Sequence, residues 1–136
     1  LKDTVSGLGL RKYVRVLGYV DETMLASLYA NALFLAMPSL YEGFGLPLVE
    51  AMVHGTPVLT SDNSSMPEVA GNAGLLIHPF AIPSIKNGLE TLIANNDLRR
   101  NLAGNTRENI TRFSWTTAAK QLVSVFEKII SARKNG

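Results

Sequence analysis

The residues best suited to chemistry in this chain are two glutamates that stand on either side of a pair of glycines. Glu42 directly precedes Gly43, and Glu50 lies a short way beyond Gly45. A turn whose backbone N–H groups have no intrachain acceptor can bind an anion such as phosphate. A carboxylate is repelled by phosphate, so each glutamate is better suited to accept hydrogen bonds from neutral hydroxyls. These residue types predict a phosphate site flanked by a sugar or ribose.

The elements on either side of the glycines predict how they are held. Residues 32–37 form an apolar run without alternation, which predicts a strand buried on both faces. Pro47 is tolerated in a first helical turn, so we expect a helix to begin near Leu46. Apolar side chains then recur at helical spacing, at Leu48, Val49, Met52 and Val53. The glycines therefore lie on a strand-to-helix turn at the positive end of the helix dipole, and Glu50 leans toward it.

Three other segments predict the remainder of a small sheet. Residues 13–17 are rich in β-branched and aromatic side chains, and residues 57–60 and 74–77 are short apolar runs. Together with residues 32–37 they predict a Rossmann-like open parallel sheet of about four strands, with ligands at the carboxyl ends of the strands. Apolar stripes beyond residue 82 predict a helical C-terminal tail. The fold class is α/β, with helices flanking the sheet.

Two groups of polar residues near the turn fit ordinary structural roles. His54 and Gly55 are typical of a helix C-terminus, so the imidazole lies at the far end of the helix from the glycines. Residues 61–65 contain Ser, Asp and Asn, which commonly form turns and helix caps after a strand. We therefore assign neither group to the site.

Composition limits the class of protein. The chain has 136 residues, of which 46% are hydrophobic and 18% charged, as expected for one soluble domain. Its net charge of +2 is too small to indicate nucleic acid as a partner. Cysteine is absent, which excludes disulfides and cysteine-based metal sites. Without an apolar run of about 18 residues or a signal peptide, we expect a cytoplasmic location and at most peripheral membrane association.

The whole string around the turn resembles a known family. Residues 42–52, followed by residues 55–58, are similar to the Glu-x7-Glu signature of the group 1 (family 4) retaining glycosyltransferases, which have the GT-B fold. The resemblance continues through residues 61–62, 67–69, 74–76 and 113–115. It covers nearly the whole chain, and it is specific for the nucleotide-sugar-binding half of those enzymes.

The resemblance implies a role for each residue of the turn. Glu42 would be catalytic, holding the donor sugar near its anomeric carbon, and Glu50 would accept hydrogen bonds from the ribose. The diphosphate would bind to backbone amides, namely those of Gly43, Phe44, Gly45 and Leu46. The resemblance implies no cofactor and no metal ligand among these residues, because amides and the helix dipole can carry the charge of the diphosphate.

The resemblance also implies that residues 1–136 are the C-terminal donor-binding domain of a GT-B enzyme. The start of this domain, with an Arg and a Lys for the diphosphate, and an N-terminal acceptor domain would lie outside the chain. The donor would be a nucleotide diphosphate sugar, with a slight preference for GDP-mannose because residues 61–68 resemble bacterial mannosyltransferases of surface polysaccharides. The acceptor would be a glycan or a lipid-linked sugar, and the fragment alone would transfer nothing.

Two alternatives belong to other classes. One is a sugar-nucleotide epimerase of GT-B fold, which would not need Glu42 and Glu50 together. The other is a non-catalytic α/β module that binds a partner protein, which would bind no nucleotide.

Overall fold

The sheet consists of three parallel strands in the order β1-β2-β3, in a computed structural model that describes residues 2–134. The strands are β1 (Leu35–Met37), β2 (Val58–Ser61) and β3 (Gly74–Ile77). Val58 of β2 lies between Leu35 and Gly74 in the register of the sheet. Because every connection is parallel, the segments that follow the strands leave from the same edge of the sheet.

Helices connect and follow the strands. They are α1 (Lys2–Gly7), α2 (Glu22–Asn31), α3 (Leu46–Val53), α4 (Met66–Ala70), α5 (Ile82–Ala94), α6 (Asn96–Ile110) and α7 (Trp115–Lys134). A short 3-10 turn, Gly71–Ala73, links α4 to β3. Asp21 caps α2, because its carboxylate accepts a hydrogen bond from the Met24 N–H at 2.8 Å. The α/β class and the helical C-terminal tail are confirmed.

The core lies on both faces of β2, because successive side chains of a strand point to opposite faces. Val58 packs in a cluster with residues of α3 and α4, including Leu48, Met52 and Met66. Leu59 packs in a second cluster with Leu92 of α5 and Leu102 of α6. The sheet is therefore covered by helices on both faces, and β2 is buried along its whole length.

In the described part of the chain one predicted strand is absent and another is shorter than predicted, so the sheet has three strands rather than about four. Residues 13–17 form no strand, and their side chains are exposed, with Tyr13 at 73%. Within residues 2–134 no strand pairs with this segment, and β-propensity alone does not hold a strand without hydrogen-bonded neighbours. The strand predicted over residues 32–37 begins only at Leu35, and Ala36 is exposed because β1 is an edge strand among the described residues.

Helix α7 exposes much of its apolar surface. Its stripe includes Leu122 (55% exposed), Phe126 (53%) and Ile129 (56%). The spacing of these side chains places them on one face of the helix. The apolar stripe is therefore present on α7, but within residues 2–134 it is not buried.

No helix in the described part of the chain combines the length and the apolar character needed to span a membrane.

Candidate functional site

The chain turns from β1 into α3 through Gly45, which has a left-handed backbone conformation. Its φ of 95° and ψ of 50° are ordinary for glycine and costly for other residues. A Cβ built on Gly45 would lie 2.5 Å from Cε of Met66, a side chain with no exposed surface. The predicted start of the helix at Leu46, with Pro47 in its first turn, is confirmed. The α-hydrogen of Gly45 that a side chain would replace points into the core.

The N–H groups at this turn have no protein acceptor within residues 2–134. They belong to Gly43, Phe44, Gly45 and Leu46, the residues predicted to bind a diphosphate. All four stand at or just before the first turn of α3, where the helix dipole is positive. Gly43 has open space within 4 Å of its Cβ direction and no positive φ. The turn therefore offers several donors to an anion, and a ligand can approach Gly43 closely.

Glu42 is half-buried and held at both its backbone and its side chain. Oε1 accepts a hydrogen bond from the Ser39 hydroxyl at 3.0 Å. The Glu42 N–H donates to Oγ of Ser64 at 3.3 Å. The carboxylate retains acceptor capacity at Oε2, so it can bind a hydroxyl of a ligand while one oxygen is fixed.

The end of β2 and the loop that follows it form several hydrogen bonds to the loop that follows β1. The Ser61 hydroxyl donates to the Ser39 carbonyl at 2.5 Å, and the Asn63 amide donates to the Leu40 carbonyl at 2.8 Å. Ser65 donates to the carbonyls of Glu42 at 3.0 Å and Phe44 at 3.2 Å. These contacts were not predicted, since residues 61–65 were expected to form only turns and caps. They show that the second loop supports the turn.

An aromatic contact supports the turn from another element. The ring of Phe44 meets Phe113 edge-to-face, with centroids 5.5 Å apart and planes at 88°. Phe113 follows α6 and packs against the core cluster around Leu48. The Phe44 ring is thus held against Phe113, and the Phe44 N–H has no acceptor among the described residues.

Glu50 lies farther along α3 and is exposed. Its Oε2 accepts a hydrogen bond from the hydroxyl of Tyr29, on α2, at 3.1 Å. The pKa of Tyr29 is raised to about 12, chiefly by burial and then by the hydrogen bond to Glu50 and the negative charge of Glu50. Tyr29 was not predicted as a site residue, because in the sequence it is indistinguishable from the other apolar residues of its helical face. Tyr29 orients one oxygen of Glu50 and leaves the other free to accept.

Two histidines lie elsewhere. His54 is the C-cap of α3 and stacks against Tyr29 with ring centroids 6.1 Å apart. It is separated from the turn by the length of α3, roughly 10 Å at about 1.5 Å per residue. His78 follows β3, and its Nδ1 lies 3.4 Å from Oδ1 of Asp62, which follows β2. This pair is half exposed on the same edge of the sheet as the turn.

Metal-binding chemistry has no evident protein ligand set here. Among residues 2–134, no three His, Asp or Glu side chains come close enough together to hold an ion.

Sequence comparison relates the chain to a family of known proteins. The family described as Glycosyl transferases group 1 matches residues 1–109. The O-antigen chain mannosyltransferase B of Escherichia coli is 36% identical over 85% of this chain and 30% of its own length. The MMP alpha-(1->4)-mannosyltransferase of Mycolicibacterium hassiacum is 37% identical over 93% of this chain and 32% of its own length. The chain therefore spans about a third of these relatives.

Solved structures share the fold over almost all of the chain. Sucrose-phosphate synthase from Thermosynechococcus elongatus matches with a TM-score of 0.83 and 30% identity, over 96% of this chain and 34% of that one. Anabaena Alr3699/HepE, solved in complex with UDP, matches with a TM-score of 0.81 and 26% identity, over 93% of this chain and 35% of that one. The family match and these relatives establish that this chain belongs to the group 1 glycosyltransferases and has the fold of a GT-B C-terminal domain.

Proposed function

We propose that this chain is the donor-binding domain of a retaining glycosyltransferase that uses a nucleotide diphosphate sugar. The observation that carries the proposal is the turn before α3. It presents N–H groups without an acceptor in the described chain, between two carboxylates that each keep one oxygen free. A diphosphate with hydroxyl-bearing groups on both sides matches this order of donors and acceptors.

Each part of the turn has a separate task in transfer. The amides of Gly43, Phe44, Gly45 and Leu46 would bind the diphosphate. Together with the dipole of α3 they would stabilise the negative charge that develops as the nucleotide leaves. Glu42 would accept from the donor sugar and stabilise the positive charge that develops at its anomeric carbon. Glu50 would accept from the ribose, with its carboxylate oriented by Tyr29.

The proposed donor is GDP-mannose, as the serine-rich residues 61–68 favour. Support comes from the two mannosyltransferases that share more than a third of their aligned residues with this chain. A structural relative was solved with UDP, so a uridine donor is the first competitor to test. The acceptor would be a glycan or lipid-linked sugar, bound mainly by a domain outside this chain.

Calorimetry in the full-length protein tests the proposal. We expect GDP or UDP to bind at least tenfold more tightly than the matching nucleoside, because the turn amides contact only the phosphates; tenfold corresponds to about 1.4 kcal/mol. We also expect this difference to persist in EDTA, since amides and the helix dipole are proposed to carry the charge. Equal affinities for nucleoside and diphosphate would mean that the turn does not bind the phosphates.

The exposed stripe on α7 favours a second candidate, a module that only binds a partner protein. Leu122, Phe126 and Ile129 could pack on an apolar surface of another domain. The two candidates differ in one measurement, because the partner-binding module predicts no binding of either diphosphate. A transferase domain also needs a packing surface for its acceptor domain, so the stripe alone does not decide between them.

A further inference from the structure

Ser65 occupies a helix N-cap without capping the helix. Serine at this position normally accepts a hydrogen bond from an N–H of the first turn. At α4 no such bond forms, and the hydroxyl instead points to the turn that follows β1. The side chain thus contributes to a segment more than twenty residues away in sequence, as the separations of 23 and 21 show.

The two carbonyls that Ser65 contacts belong to the peptide groups of the turn glycines. Its Oγ is 3.0 Å from the Glu42 carbonyl and 3.2 Å from the Phe44 carbonyl, so one proton is shared between two acceptors. In a trans peptide group the N–H points opposite to the C=O. The hydroxyl therefore directs the N–H of Gly43 and the N–H of Gly45 away from the β2–α4 loop.

The neighbouring serine strengthens the same arrangement. Ser64 has a φ of 51°, the only positive value among non-glycine residues of the described chain. Its Oγ accepts a hydrogen bond from the Glu42 N–H. Glu42 also carries one of the two carbonyls that Ser65 contacts. This backbone conformation is unfavourable for a non-glycine residue, and it persists where the surrounding contacts require it. Ser64 and Ser65 thus hold successive backbone groups of one turn.

We propose that Ser65 is a positioning residue for the donor diphosphate, acting by aiming the Gly43 and Gly45 amides. The inference rests on the proposed function, since it assigns the amides to the phosphates. It predicts that Ser65 affects affinity for the phosphates and leaves affinity for the nucleoside unchanged.

A matched control is available in Ser61. Its hydroxyl joins the same two loops, but it donates to the Ser39 carbonyl, outside the turn. Ser61→Ala therefore loosens the loops without releasing the peptide groups of the two glycines. If Ser65→Ala acted only by loosening the contact between the two loops, it should behave like Ser61→Ala.

The experiment measures binding of GDP, UDP and their nucleosides to the full-length protein by calorimetry. For whichever diphosphate the wild type prefers, Ser65→Ala should lower affinity about tenfold, the loss expected when a bond to a charged group is weakened. Its nucleoside affinity should not change. Ser65→Thr keeps the hydroxyl and should restore most of the preference, whereas Ser61→Ala should keep the wild-type ratio.

Each outcome decides one of the two claims. If the wild type binds diphosphate no more tightly than nucleoside, the proposed function fails and the role of Ser65 fails with it. If the wild type has the preference and folded Ser65→Ala keeps it, or if Ser61→Ala loses it equally, only the role of Ser65 is overturned. Should Ser65→Ala not fold, Ser65→Cys preserves the volume with a weaker donor, and an unchanged ratio in that variant overturns the inference as well.

Discussion

Replacing Gly45 with alanine should destabilise the chain through two separate effects. The first is backbone strain, because φ is 95° and a side chain in a left-handed conformation costs about 1 to 2 kcal/mol. The second is overpacking, because the new Cβ would lie 2.5 Å from Cε of Met66, which is fully buried. Overpacking typically costs about 1 to 3 kcal/mol. The sum is about 2 to 5 kcal/mol, a large part of the roughly 5 to 15 kcal/mol that stabilises a domain.

Urea unfolding of the 136-residue chain measures this cost, and Gly43→Ala is the matched control. Gly43 has no positive φ and no atom within 4 Å of its Cβ direction, so its substitution should change the unfolding free energy by less than about 1 kcal/mol. In the Met66→Leu background, which removes Cε, Gly45→Ala should cost less than in the wild type, while the strain remains. If Gly45→Ala costs no more than Gly43→Ala, the turn does not require glycine and this reasoning is wrong.

The remaining predictions concern the two glutamates and Tyr29. In the full-length protein, Glu42→Gln should lower kcat about 100-fold or more with little change in donor KM, because it removes a charge that we propose acts mainly in the transition state. Glu50→Gln should mainly raise the donor KM, because its proposed contact with the ribose is alike in the ground and transition states. Steady-state kinetics showing the reverse pattern would exchange the two roles. The folded-state pKa of Tyr29 is raised to about 12 from 10.0, so its contribution to stability is complete below pH 10 and is lost as pH rises through 12. Urea midpoints should therefore fall less steeply over this range in Tyr29→Phe than in the wild type, and parallel curves would contradict the assignment.

The strand-turn-helix around Gly45 was predictable because its determinants are local in sequence. An apolar run, two glycines, a first-turn proline and a helical apolar stripe follow one another within residues 32–53. The apolar run and the helical stripe act through burial, the glycines permit a positive φ, and the proline fixes φ and lacks an N–H donor. The structure accordingly places α3 at Leu46–Val53, as the sequence indicates.

The supports of the turn were not predictable because they are contacts between distant segments. Ser65 directly precedes α4, which has Pro67 in its first turn, and serine at this position usually caps the helix. That its hydroxyl instead bonds to the turn before α3 depends on how two loops meet in space. The hydrogen bond from Tyr29 to Glu50 crosses between helices in the same way. Residues 13–17 are the converse case, because their β-propensity is real but no strand of the described chain lies beside them.

The turn is held from two sides, and this bears on the cost of binding. Ser65 fixes the Glu42 and Phe44 carbonyls from the β2–α4 loop, and Phe113 fixes the Phe44 ring from beyond α6. Between these contacts Gly43 has open space in the direction that a Cβ would take, and its N–H has no acceptor among the described residues. Ordering a backbone residue costs about 1 to 2 kcal/mol in conformational entropy, and here that entropy is already lost on folding, before any ligand binds. Binding of a diphosphate would then be opposed mainly by desolvation of the amides and of the phosphate, which is the energetic benefit of preorganisation.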